Sequence, residues 1–214
     1  MDYRSYLMQH IPYDLPILEE IDRFHRGRFD LQPFIEPEIG RFLALLVRMN
    51  RMKRVLELGT GIGYSAIWIA SGLITTKGEL TTVDHHERTG REAEEFFSRS
   101  SVGSCINRRQ GDILDVLSLL ARQSPMSMDM VFQDGGKQLY PRAVDDICTL
   151  LKPGGILVTD DVLFPVEQDV RTGLKDPVDR FNCMIREDRR FYSAMLPVGH
   201  GVMISWKQEH RGKD

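Results

Sequence analysis

The chain has 214 residues, 42% hydrophobic and 28% charged, with a formal net charge of −3. That length suits one domain with a substantial core, and the balance is that of an ordinary globular protein. No apolar run approaches the roughly 18 residues that span a bilayer, and the acidic balance argues against a nucleic-acid scaffold while leaving a local basic patch open. The opening MDYRSYLMQH lacks a signal-peptide core. Three scattered cysteines, Cys105, Cys148 and Cys183, match no metal-type spacing. Together these point to a reducing, cytoplasmic setting. The adjacent His85 and His86 are poorly placed for joint ligation and read as loop residues.

In chain order, residues 1–50 form a helical extension, with a short helix over Leu15–Phe24 and a longer one over EPEIGRFLALLVRMN. There Ile39, Phe42, Leu43, Leu46 and Val47 recur at helix spacing and Pro37 suits a first turn. Pro33 breaks the intervening loop. From residue 51 to 207 a core is expected in which strands alternate with helices. KRVLELG is a strand and GYSAIWIASGL a helix stopped near Gly72. GELTTVD is a strand, RTGREAEEFFSRS a helix, SCINRRQGD a strand and ILDVLSLLARQ a helix. MDMVFQD is the fourth strand. YPRAVDDICTLLKPGG reads as a helix capped by Gly154, with Ala143, Val144, Ile147, Leu150 and Leu151 on one face. GILVTDD is the fifth strand. DPVDRFNCMIREDRR follows as a helix, and FYSAMLPVG with GVMISWK as an antiparallel edge hairpin. The polar tail QEHRGKD is expected to fray. The fold class is therefore α/β: a Rossmann-like, doubly wound, mostly parallel sheet with an antiparallel C-terminal edge hairpin and N-terminal helices, all in one domain over 1–214.

VLELGTGIGYS puts Gly59, Gly61 and Gly63 between the first strand and its helix. Such a turn lets backbone approach a ligand and aims helix N–H groups at it. Asp84, ending the next strand, can accept from two ribose hydroxyls, which favours a nucleoside-containing cofactor over a turn built only for packing. The spacing is G-x-G-x-G, with Glu57 just before it, rather than the G-x-G-x-x-G of dinucleotide sites.

Three ordered stretches, LELGTGIGYSAIWIA, DMVFQDGGKQLYP and LLKPGGILVTDDVLF, resemble the class I S-adenosylmethionine-dependent methyltransferases. More narrowly, they resemble the metal-dependent O-methyltransferases that include catechol and caffeoyl-CoA O-methyltransferases and small bacterial relatives. The similarity runs from FIEPEIGRFLALL to LPVGHGVMISWK. It implies S-adenosylmethionine as cofactor, with Tyr64 and Ser65 near its methionine part and Asp84 on the ribose. Gly111 and Asp112 would lie beside the adenine, Ile35 would line the pocket, and Asp134 would touch both cofactor and metal.

Asp134, Asp160 and Asp161 end the fourth and fifth strands. Three carboxylates converging there need neutralising, and all-oxygen ligands favour Mg²⁺, with Mn²⁺ or Ca²⁺ as alternatives. The resemblance implies the same site, but relatives carry Asn at the position of Asp161. A blander role for Asp161 is a turn cap. Lys137, in DGGK, is implied as the base or electrostatic aid beside the acceptor hydroxyl. Tyr140 either covers the pocket or packs. His200, in GHGV, stands where bacterial relatives often have an acid.

The expected acceptor is a small catechol-like hydroxyl compound. A hydroxylated uridine in transfer RNA is the alternative, for which RMKR at 51–54, RR at 108–109 and REDRR at 186–190 offer positive charge. A nicotinamide-dependent oxidoreductase and a non-catalytic binder of S-adenosylmethionine are the readings from other classes. The resemblance also implies a homodimer.

Overall fold

The structure, a computed structural model, describes residues 3–10 and 13–209. The expected fraying of the tail falls largely on 210–214, outside the described residues. Three helices come first: α1 (Tyr3–His10), α2 (Pro16–His25) and α3 (Pro37–Met49). Then follow β1 (Arg54–Leu58), α4 (Tyr64–Thr76), β2 (Glu79–Asp84), α5 (Glu87–Arg99), β3 (Ile106–Gln110), α6 (Ile113–Gln123), β4 (Met128–Gln133) and α7 (Tyr140–Leu150). The chain closes with β5 (Leu151–Thr159), α8 (Thr172–Glu187), β6 (Phe191–Leu196) and β7 (Val202–Lys207).

The seven strands form one sheet in the order β3-β2-β1-β4-β5-β7-β6. β1 to β5 run parallel, and β7 is antiparallel to both β5 and β6. The order reverses between β1 and β4, which opens a crevice at their carboxyl ends. Successive side chains of a strand face opposite layers. Val55 accordingly packs with α2 to α5, whereas Leu56 and Leu58 pack with α6 to α8. Helices α2 and α3 share the first of these layers, since Leu18, Ile39 and Leu43 sit in one cluster with Ile67 and Trp68 of α4. Among the described residues no helix is long and apolar enough to cross a membrane.

Three boundaries depart from expectation. α4 does not stop at Gly72 but runs to Thr76, where Lys77 caps it in the left-handed region at φ 57°. Gly72 serves a close helix approach instead: a Cβ there would lie 2.7 Å from the Ala44 carbonyl oxygen of α3. α7 ends at Leu150, and Leu151 already pairs with Met128 in the sheet. Gly154, expected as a helix cap, lies inside β5 at φ 79°, where the pairing jumps from Met128↔Leu151 to Met130↔Ile156. Pro153 disfavours helical backbone at Lys152, which explains the early exit. β3 lies within SCINRRQGD as expected, over Ile106–Gln110, after a 3-10 turn over Gly103–Cys105. α8 starts at Thr172 rather than Asp176 and takes Pro177 into its body.

Candidate active site

The turn between β1 and α4 is held from two sides. Gly59, Gly61 and Gly63 all take positive φ, at 107°, 51° and 86°. A Cβ on Gly59 would meet the Asp134 carbonyl oxygen at 2.8 Å, so this turn and the one after β4 are pressed together. Asp84, at the end of β2, grips the same turn. Its Oδ2 accepts from the backbone N–H groups of Thr60 at 3.0 Å and Gly61 at 3.1 Å, and its Oδ1 from that of His86 at 2.9 Å. The Gly111 N–H donates to the Asp84 carbonyl at 3.0 Å, bringing the end of β3 alongside.

Beneath the turn lies Glu57, fully buried, with no formed hydrogen bond to either carboxyl oxygen. Burial pushes its pKa up to about 8, against the weaker pull of the Ser65 and Thr82 hydroxyls. Ser65 is buried in the first turn of α4. The structure thus gathers Glu57, Gly59, Gly61, Gly63, Ser65, Asp84 and Gly111 at one place.

Three other expected cofactor residues are differently engaged. The Tyr64 ring is buried, stacked on Phe34 at 4.1 Å between centroids and edge-on to Trp68. Ile35 belongs to the main core cluster. Asp112 caps α6, its Oδ1 accepting from the Leu114 and Asp115 N–H groups.

Across the crevice, Asp134 follows β4 and Asp160–Asp161 follow β5. Their carboxylates converge, with one oxygen from each within 4.8 Å of the others. Adjacent residues on a strand would diverge, but Asp161 takes the left-handed region at φ 62° and so turns to the same centre as Asp160. Lys137 enters this group from a 3-10 turn over Lys137–Leu139. Its Nζ lies 3.0 Å from Asp134 Oδ1 and 2.6 Å from Asp161 Oδ2, and donates to the Tyr140 hydroxyl at 2.8 Å. That hydroxyl lies within reach of the Gln133 and Asp160 carbonyl oxygens, so Tyr140 is both core and brace.

One ammonium faces three carboxylates. At the separation seen here, each carboxylate pair repels by roughly 3 kcal/mol or more even at an effective dielectric of about 20. Burial, with Asp134 and Asp161 as like charges, holds the Asp160 carboxyl well above the usual range. Burial also raises Asp134, with Lys137 opposing. Burial works against the Lys137 charge, yet Tyr140, Asp134 and Asp161 outweigh it and keep the amine protonated. One oxygen of Asp160 is buried with no hydrogen-bond partner. An orphaned carboxylate oxygen within an all-oxygen donor set fits a hard divalent cation.

Asp84, His85 and His86 also bring ligand atoms together. Both Asp84 oxygens already accept backbone N–H groups, however, and the two imidazoles are exposed and in contact with each other. This second group therefore makes a poor cation site.

Reading the sequence did not pick out Gln133, whose side-chain amide is buried beside the cluster without a partner. A polar residue inside the apolar run MVFQD was the signal available. Phe164, Glu167 and Glu36 were missed as well, because only the tertiary fold sets the Phe164 ring before Lys137, Glu167 against His200, and Glu36 within the electrostatic reach of His200 and Asp161.

The three basic stretches are spread, and each carries at least one arginine paired with an acid. Arg54 opposes Glu79, Arg108 opposes Glu94, and Arg190 opposes Asp188 and Asp145. Residues 51–54 and 186–190 precede β1 and β6, at the sheet edge opposite the carboxylates.

This architecture is shared with solved methyltransferases. The O-methyltransferase from Bacillus cereus in complex with SAH superposes with a TM-score of 0.85 at 25% identity, over 96% of each chain. A protein from Mycobacterium sp. (strain JLS) that carries an O-methyltransferase name is 30% identical over 178 residues, 80% of this chain and 78% of that one. Catechol O-methyltransferase from Niastella koreensis is 33% identical over 129 residues, 60% of this chain and 58% of its own. The family model described as O-methyltransferase matches residues 8–208, and the chain belongs to that family.

Proposed function

We propose that the chain transfers a methyl group from S-adenosylmethionine to a hydroxyl of a small catechol-like acceptor, with a divalent cation, Mg²⁺ foremost, held by Asp134, Asp160 and Asp161. The observation that carries this reading is the convergence of three carboxylates, two of them paired with one lysine and the third, Asp160, with an orphaned oxygen. The SAH in the Bacillus cereus neighbour and the catechol activity named for the Niastella koreensis relative support the donor and the acceptor class.

When bound, the donor supplies an activated methyl group and the cation acidifies the acceptor hydroxyl. The chain's own residues provide position and charge. The glycine turn and Asp84 cradle the nucleoside, and the Asp134 backbone pressed on Gly59 fixes the distance between cofactor and acceptor halves. Lys137 keeps its proton between Asp134 and Asp161, so it acts as a fixed positive charge that favours an oxyanion beside it. The Phe164 ring, with Lys137 Nζ 5.6 Å from its centroid, walls the site on the side of the turn after β5.

The transfer-RNA alternative is less favoured. Two of the three basic stretches lie at the far edge, and all three carry acidic partners. Membership of the O-methyltransferase family removes the oxidoreductase reading.

Thermal-shift titration with S-adenosylhomocysteine, with and without Mn²⁺, tests the proposal. A ligand at a hundred times its Kd stabilises by about 2.7 kcal/mol. Both ligands are expected to raise Tm in the wild type, with the Mn²⁺ increment missing in Asp160→Ala. A wild type that responds to the nucleoside but not to Mn²⁺ would refute the cation site; no response to either would refute the donor.

A further inference from the structure

The loop between β6 and β7 lies against the residues that follow Asp161. The Val162 N–H donates to the Gly201 carbonyl at 3.0 Å, and the Leu163 N–H to the His200 carbonyl at 2.9 Å. The contact is tight: a Cβ on Gly201, which takes φ 91°, would meet Leu163 Cγ at 2.4 Å. Side chains close the same junction. His200 Nδ1 sits 2.9 and 2.7 Å from the two carboxyl oxygens of Glu167, six residues beyond Asp161. Phe164 stands between this pair and the cluster, its ring edge-on to His200 at 5.5 Å and facing Lys137 Nζ at 5.6 Å.

A non-glycine residue in the left-handed region persists only when its surroundings hold it there. Asp161, at φ 62°, is such a residue, and its strained turn is the one that aims its carboxylate at Asp134 and Asp160. What pins that turn from outside the cluster is the 200–201 backbone, together with Asn182 of α8, whose Nδ2 donates to the Val162 carbonyl at 2.8 Å.

We infer that the β6–β7 loop is a clasp on the acceptor side of the site, and that the His200–Glu167 pair is its catch: a positioning pair that sets the orientation of Asp161 and Phe164. The role in acceptor and cation binding rests on the function proposed above. The pair touches no reacting atom. It acts through the turn that carries the third carboxylate and the aromatic wall, so its loss is felt in cation and acceptor affinity while the nucleoside half of the crevice is spared. With side chains 52% and 28% exposed, the pair is worth a factor of about five at most.

The test compares wild type, His200→Ala, Glu167→Ala, the double alanine variant and the charge-exchanged His200→Asp/Glu167→Lys. The expected result for either single alanine variant is about fivefold weaker Mn²⁺ binding, read by electron paramagnetic resonance, with a similar rise in acceptor KM. Values of kcat within about twofold and unchanged S-adenosylhomocysteine affinity complete that pattern, with Tm lower by no more than the roughly 2–4 °C that loss of the pair itself costs. The double alanine variant should be no worse than the singles, and the charge-exchanged variant should recover most of the loss. Hydrogen exchange at the Val162 and Leu163 amides reads the clasp directly and should quicken by a similar factor, with β1 amides unaffected. Unchanged exchange at those two amides, or a fall in nucleoside affinity parallel to that in Mn²⁺ affinity, would overturn the clasp. If the wild type itself binds no Mn²⁺, the functional proposal fails, and the two amides still decide the clasp.

Discussion

Asp84 and Asp160 both stand, buried, at the carboxyl edge of one sheet, yet their surroundings are opposite. Asp84 accepts three backbone N–H groups, two donated by a turn whose glycines let the chain curl around it and one by His86. Asp160 has an oxygen with no partner and two aspartates for neighbours. The first half of the edge is satisfied by backbone geometry. The second half is satisfied only in part, by one lysine, and has room for more positive charge. The difference teaches that backbone donors can satisfy a buried strand-end carboxylate outright, whereas side chains alone leave the Asp160 oxygen without a partner.

The comparison can be broken most severely at Asp160. Asp160→Asn should lower metal-dependent methyl transfer by more than the roughly 10–100-fold typical of outer-shell partners of a metal. It should at the same time raise Tm in metal-free buffer, because it removes a carboxyl that must either take up a proton or bear a charge among like charges on folding. Activity assays and calorimetry on one preparation read both signs, and a drop in metal-free stability would contradict the charge argument.

Glu57 sharpens the contrast from beneath the turn. Its pKa in the folded chain is raised from 4.5 to about 8 by burial, so the folded state binds a proton that the unfolded state releases. Stability should therefore fall as pH rises from about 4.5 to about 8 and level off above that, by an amount on the order of a few kcal/mol. Glu57→Gln should flatten this stretch of the profile, which urea unfolding at several pH values would show.

The smallest effects separate two glycines of one turn. Gly59→Ala combines φ 107° with a Cβ 2.8 Å from the Asp134 carbonyl oxygen and should cost about 2–4 kcal/mol. Gly61→Ala at φ 51° meets nothing within 4 Å and should cost only about 1 kcal/mol. Equal losses in chemical denaturation would mean that the two halves of the crevice are not pressed together as described.

Much of this was legible before folding. Alternation of apolar strands with amphipathic helices gave the parallel sheet, and LGTGIG with Asp84 marked a turn and an acid that the fold does bring together, because glycine spacing and a strand-ending acid are local properties. The convergence of Asp134, Asp160 and Asp161 was also anticipated, since strand ends in such a sheet share one edge. Local reading failed where packing overrode propensity. Gly72 was taken as a stop, but the helix continues because a close crossing with α3 needs a residue without a side chain. Gly154 was taken as a cap, but it lies within β5 at the register jump because the strand begins early.

By itself, the sequence determined the order of elements, the glycine turn and the three aspartates, all set by short-range pattern. Only the tertiary structure decided that Asp161 turns back to face Asp160, that Lys137 sits charged among the carboxylates, and that His200 reaches Glu167. Those relations join residues up to 33 positions apart, and their energies depend on burial and distance that no single stretch of chain contains.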